Sequence, residues 1–255
     1  MTPNTATAVD NIVTRLDQRA VAKTKAWWES YLKDEIEFRG VPMAGIRQSV
    51  NAWHDEVEPD HEFLEEVALT LLRQPVAEDK LAGILIFQEH LLPAHKTDWR
   101  ADLAALEPVF DEGHIWDWNT CDWLCVRVLG PLADRNGEPC ARAIASWTGA
   151  PGLWRRRAGV VAFVNLAARG DDFFEGFVDL LLDASDANTQ DPERFSQTSV
   201  GWVLRELSDA EPDRVFAFVG AHREQMSKEA IRMAAARLPD RQRVELGVTG
   251  KRGRR

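Results

Sequence analysis

Apolar positions recur at helical spacing along almost the whole chain, and no sustained alternation of the kind that marks a strand interrupts them. Val9, Ile12, Val13, Leu16, Val21 and the Trp27–Trp28 pair supply one apolar side and predict a first helix over about 8–34. RGVP ends it, because Gly40 and Pro42 disfavour continuation. AGIRQSVNAWHDEV, EFLEEVALTLLRQ, EDKLAGILIFQEHLL and DWRADLAALEPVF then each read as a short helix, with Pro59, Pro75 and Pro93 as punctuation. CDWLCVRVLGPLA, PCARAIASWTGA, GLWRRRAGVVAFVNLAA, FFEGFVDLLLDA, RFSQTSVGWVLREL, PDRVFAFVGAH and SKEAIRMAAARL continue the series.

Four of these segments resemble one another. DKLAGILIFQ, RRAGVVAFVN, TSVGWVLREL and EAIRMAAARL share a polar start, small residues and then an apolar run. Their irregular spacing makes a degenerate repeat, which predicts stacked helix pairs that bury their apolar faces on their neighbours. The expected fold class is therefore all-α, an α-solenoid whose concave face is long enough for an extended ligand; a non-repeating helical bundle is the competing architecture. The expected organisation is a flexible start at 1–7, one helical-repeat domain over 8–240, and a basic flexible tail at 241–255.

Composition narrows the function classes. At 255 residues the chain can bury a sizeable core. It lacks the run of roughly 18 apolar residues that a membrane span needs and shows no secretory signal. Three cysteines do not make a disulfide framework, so a reducing cytoplasm is expected. The net charge of −10 counts against a nucleic-acid binder, but total charge says little about a local face. Basic residues gather at WRRR (154–157) and at the KRGRR end.

The candidate chemistry lies in three stretches. HIWDWNTCDW (114–123) holds three of the ten tryptophans of the chain. If 116–129 is helical, Trp118 and Asp122 share one face, while Trp116 and Trp123 point elsewhere and anchor the helix in the core. An indole beside a carboxylate can stabilise developing positive charge, but spacing alone favours packing for Trp118 and a surface or capping role for Asp122. Arg155, Arg156 and Arg157 oppose the macrodipole at a helix start, so they serve either a ligand anion or nearby acids. In SVGWVLRE, Gly201 inside a helix costs about 1 kcal/mol against Ala, which points either to close helix packing or to a face kept clear for the next side chain; the pattern favours Trp202 as core filler over a place in a cleft. Cys121 and Cys125 lack the further ligands a metal site needs, and no P-loop, dinucleotide fingerprint or nucleophile elbow is present.

Together these stretches resemble the AlkD-type DNA alkylation repair family, helical-repeat DNA glycosylases that remove N-alkylated purines. YLKDEIEFRGV, WDWNTCDW, LWRRRAGVVAFV and SVGWVLREL occur in the family's order, and the resemblance runs from about Tyr31 to Leu238. It implies a solenoid of HEAT-like repeats. Residue by residue, it implies that Trp118, Asp122 and Trp202 are catalytic. It makes Arg157 the arginine that contacts DNA beside the lesion and Tyr31 an aromatic near the backbone; Arg155, Arg156 and Arg205, with the basic tail, are expected to add phosphate contacts. Pro42 stands where the family often carries glutamine, so a side-chain hydrogen bond from that position is lost. The implied partner is double-stranded DNA with alkylated purines, bound by a monomer without cofactor, metal or membrane. A non-catalytic binder of damaged or branched DNA and a protein-interaction scaffold are the alternatives.

Overall fold

The computed structural model describes residues 4–94 and 98–248. Among these residues all regular elements are helical, and a lone bridge between Glu37 and Val76 is the single β-type pairing. The chain divides into two compact units, one up to Val128 and one from Leu129 onward, where the sequence pattern predicts one repeat domain over 8–240. The first unit holds α1 (Thr5–Asp17), α2 (Ala22–Leu32), α3 (Met43–Val57), α4 (His61–Leu72), α5 (Ala77–Ile86), α6 (Trp99–Asp111) and α7 (Trp118–Leu124). The second holds α8 (Gly130–Asn136), α9 (Glu138–Ala145), α10 (Leu153–Val161), α11 (Phe177–Thr189), α12 (Arg194–Leu207), α13 (Pro212–Ala221), α14 (Lys228–Ala234) and α15 (Asp240–Glu245).

The repeat is visible in which residues pair. In the second unit, Asp134–Arg169, Arg156–Asp191, Asp179–Arg214 and Arg194–Glu229 are each bonded pairs separated by 35 positions. In the first unit, Arg39–Asp79, Arg15–Glu56 and Arg47–Glu89 are separated by 40, 41 and 42. Exposed ion pairs add little stability individually. Their regular separation shows that, within each unit, helices rest on those one repeat further along, the hallmark of stacked repeats.

Three glycines make the stacking close. A Cβ at Gly83 would lie 2.7 Å from the Ala68 carbonyl oxygen, one at Gly159 2.8 Å from the Thr148 nitrogen, and one at Gly201 2.8 Å from the Ala230 carbonyl oxygen. These glycines occupy the same place in LAGILI, RAGVVA and SVGWVL. In these three segments the small position is the point of close approach to a neighbouring backbone.

Several boundaries differ from the sequence pattern. The helix expected over 8–34 is two helices, because the Val21 N–H donates to the Gly40 carbonyl at 3.0 Å and leaves the helical ladder. Residues 5–7, expected to be flexible, belong to α1, whose start is capped by the Asn4 side chain accepting from the Ala6 N–H. Residues 241–245, expected in the tail, belong to α15, which is followed by the buried Leu246. The KRGRR end lies outside the described residues.

Candidate functional site

In the first unit the site is built on the loop that follows α2. Leu32, Ile36, Phe38 and Ala77 form a buried cluster, with Trp28, Trp116 and Trp118 packed against it. The loop is pinned from below by the start of α5. Both carboxylate oxygens of buried Glu78 accept backbone N–H groups, one from Arg39 at 2.8 Å, the other from Gly40 at 2.7 Å and Val41 at 2.9 Å. Arg39 forms a two-pronged pair with Asp79, at 2.9 and 2.8 Å, which holds its guanidinium charged. Gly40 needs its positive φ of 91°, and a Cβ there would meet the Val21 carbonyl oxygen at 2.6 Å.

This frame presents a run of aromatic rings. Trp27 and Tyr31, one turn apart on α2, stack at 5.1 Å with planes 8° apart, and they are 57% and 53% exposed. Tyr31 meets Trp118 edge-on at 5.8 Å, while Trp28 stacks on Phe38 at 5.5 Å. The aromatic surface is therefore continuous from α2 to the first residue of α7.

Asp117 starts α7. It is fully buried, and its carboxylate accepts from the Thr120 N–H at 2.9 Å. Burial raises its pKa, against the hydrogen bonds of Thr120 and the charge of Lys80. One turn of helix then sets Trp118 and Asp122 on one face, both partly exposed. Asn119 and Trp123 form the adjoining stripe and line a small cleft with Trp28, Phe38, Met43, Ile46, Leu81 and Glu78. Trp116, partly exposed, packs against the cluster of Leu32, Ile36, Phe38 and Ala77, as expected of an anchor, whereas Trp123, also expected in the core, is partly exposed and lines the cleft instead. Trp116 precedes α7, and its indole N–H donates to the Glu35 carbonyl at 3.2 Å. Trp123 borders the cleft, and the Arg127 guanidinium lies 5.1 Å from its ring. The expected helix over 116–129 becomes α7 followed by a π turn at Cys125–Leu129.

In the second unit the predicted residues sit around α10 and α12. Trp202 is partly exposed, directly after the Gly201 contact with α14. Arg157 is only 4% exposed and donates to the Phe195 carbonyl at 2.7 Å and the Thr198 hydroxyl at 3.2 Å. Arg156 pairs with Asp191 at 2.6 Å and donates to the carbonyls of Ala150 and Pro151. Burial acts to raise the Asp191 pKa, but the Glu193 N–H and Arg156 outweigh it and hold the carboxyl low. The Arg155 guanidinium lies 5.0 Å from the Trp147 ring, and Arg205 is bonded to Glu206 at 2.9 and 2.7 Å. Of the two uses foreseen for the arginine cluster, pairing with nearby acids is present at Arg156.

Sequence reasoning missed the buried polar groups. Asn188 donates to the Arg156 carbonyl and the Ser199 hydroxyl, and Gln197 donates to the carbonyls of Thr189 and Asp191. These bonds fix the start of α12, which pattern alone presents as a solvated polar stretch. The missed signal is length: SQTS has four consecutive polar residues in a helix whose neighbours on either side are apolar.

The helices of the first unit thus present an indole and a carboxylate on one face of α7, with exposed aromatic rings beside Trp118. The family model of the DNA alkylation repair enzyme matches residues 12–238, and the chain belongs to that family, which gives it a role in DNA repair. Its fold is similar to a solved structure from Enterococcus faecalis described as a "Predicted DNA alkylation repair enzyme", with a TM-score of 0.69 and 19% identity over 87% of this chain and 98% of that one. No curated protein matches the sequence. No helix among the described residues is long and apolar enough to cross a membrane.

Proposed function

We propose that the protein is a monofunctional DNA glycosylase that acts as a monomer on duplex DNA and releases purines alkylated at N3 or N7. The observation that carries this reading is the Trp118–Asp122 pair on one face of α7, with the Trp118 ring edge-on to Tyr31.

An N3- or N7-alkylated purine carries a positive charge and is already a good leaving group. The bond from C1′ to the purine breaks, its electron pair stays on the base, and the base leaves neutral. The sugar is left oxocarbenium-like, as in glycoside hydrolysis. The Asp122 carboxylate stabilises that charge and orients a water toward C1′; the water's proton passes to Asp122 or to solvent. Trp118 contributes a ring face to the cationic sugar, and the family resemblance implies a catalytic role for Trp202 as well. A cationic base needs no general acid, so one carboxylate suffices, and the reaction as written uses neither metal nor cofactor.

Tyr31, Arg155, Arg156 and Arg205 are the proposed DNA contacts; Arg157, expected among them, is buried and bonded to the Phe195 carbonyl and the Thr198 hydroxyl instead. Arg156 and Arg205 reach phosphate by exchanging a carboxylate partner, Asp191 or Glu206, for it. Release of free 7-methylguanine from alkylated duplex, by wild type and by Asp122→Asn, tests the proposal.

A further inference from the structure

One buried cation stands outside the chemistry above. Lys80, in the first turn of α5, has no exposed surface. Its ammonium donates to the Leu72 carbonyl at the end of α4, 2.8 Å away, and to the His114 carbonyl in the turn before α7, 2.7 Å away. It also lies 4.2 Å from the centre of the Trp116 ring. The charged groups around it are Asp79 on its own helix, tied to Arg39, and Asp117 at the start of α7. His114, 3.3 Å from Glu112, stands at the edge of the same turn. Burial lowers the Lys80 pKa to about 8, against the pull of Asp117 and Asp79, so the group is mostly charged at neutral pH. Enclosed in this way, Nζ has no path to a sugar aldehyde, and an imine-forming role does not fit it.

We propose that Lys80 is a positioning residue for the Trp118–Asp122 pair: its ammonium clamps the turn before α7 onto the end of α4, and so fixes the direction in which the pair is presented. α7 runs on through the π turn at Cys125–Leu129, and its free end is its start. That start is held where Lys80 donates to the His114 carbonyl, the Trp116 indole donates to the Glu35 carbonyl, and Asp117 caps the first turn. Removing the ammonium takes the donor from two carbonyls and the counter-charge from Asp117 at once. The kinetic consequence rests on the glycosylase reading; the geometric one does not.

Two measurements on the full chain test it, using Lys80→Met, which keeps the stem but not the donors, and Lys80→Arg, which keeps the charge. In hydrogen exchange, K80M should lose protection about tenfold over residues 112–124 while α1 and α12 are unchanged, and K80R should show a smaller loss confined to the same segment. With 7-methylguanine duplex, kcat in K80M should fall about 10–100-fold with KM little changed, and K80R should recover part of it. Unchanged protection over 112–124 in K80M overturns the proposal, as does a uniform loss throughout the first unit in both variants. Should K80M not fold, the K80R comparison of local against uniform loss decides alone. If wild type releases no base, the glycosylase reading fails, while the exchange data still decide whether Lys80 positions α7.

Discussion

A side-chain carbon placed at Gly201 would sit 2.8 Å from the carbonyl oxygen of Ala230, closer than any real Cβ tolerates. α12 and α14 meet backbone to backbone there, and Trp202 is the next residue. Gly201→Val should therefore destabilise the protein by about 2–3 kcal/mol in urea or thermal unfolding. Gly220 is the control: it is exposed near the end of α13, with nothing within 4 Å of an added Cβ. Gly220→Ala should be neutral or stabilise by up to about 1 kcal/mol. Equal effects from the two changes would refute the close-contact role.

Arg157 and Arg155 should behave differently. Arg157 is buried against Phe195 and Thr198, so Arg157→Ala should lower unfolding stability by about 2–3 kcal/mol, the scale of a charged hydrogen bond left unmade. Arg155 is half-buried beside Trp147. Arg155→Ala should leave melting nearly unchanged, weaken DNA binding, and reduce the slope of log K against log salt by about 1. Fluorescence anisotropy at several salt concentrations, with melting curves on the same samples, reads both. A salt slope unchanged in R155A would remove Arg155 from the phosphate contacts.

Asp102, on α6, should make stability fall across mildly acidic pH. It is 6% exposed, its Oδ2 has no hydrogen-bond partner among the described residues, and Glu65 and Asp98 lie nearby. Burial, with those two carboxylates, pushes its pKa up to about 6. The folded state thus holds the proton more tightly than the unfolded chain. The stability this gives is complete below the unfolded value near 4 and is lost as pH rises through about 6. Asp102→Asn should accordingly raise stability at pH 8 by about 1–3 kcal/mol and by little at pH 4. Melting curves at the two pH values check the difference; a gain at pH 4 as large as that at pH 8 would rule the mechanism out.

The features legible in the sequence are those that depend on local spacing. The helical period marks the all-α fold, the small position of the degenerate repeat marks Gly83, Gly159 and Gly201, and the four-residue step marks the shared face of Trp118 and Asp122. The illegible features depend on partners far along the chain. The break between α1 and α2 has no glycine or proline; it exists because Gly40 takes the Val21 N–H. Glu78, Asp79 and Lys80 look like a solvated helix start, yet all three are buried, because their partners are backbone groups of Arg39–Val41, the Arg39 guanidinium, and the carbonyls of Leu72 and His114. A charged residue in a single sequence carries no mark of a buried partner some forty positions away.

Release of 7-methylguanine from duplex DNA, with wild type and Asp122→Asn side by side, tests the central claim most directly. Free base should appear with wild type and should appear at least about 100-fold more slowly with D122N, while DNA affinity and melting temperature are retained. Equal rates for the two proteins, or no release by wild type from any alkylated duplex it binds, would contradict the account and leave a DNA-repair protein that binds its target without cutting the glycosidic bond.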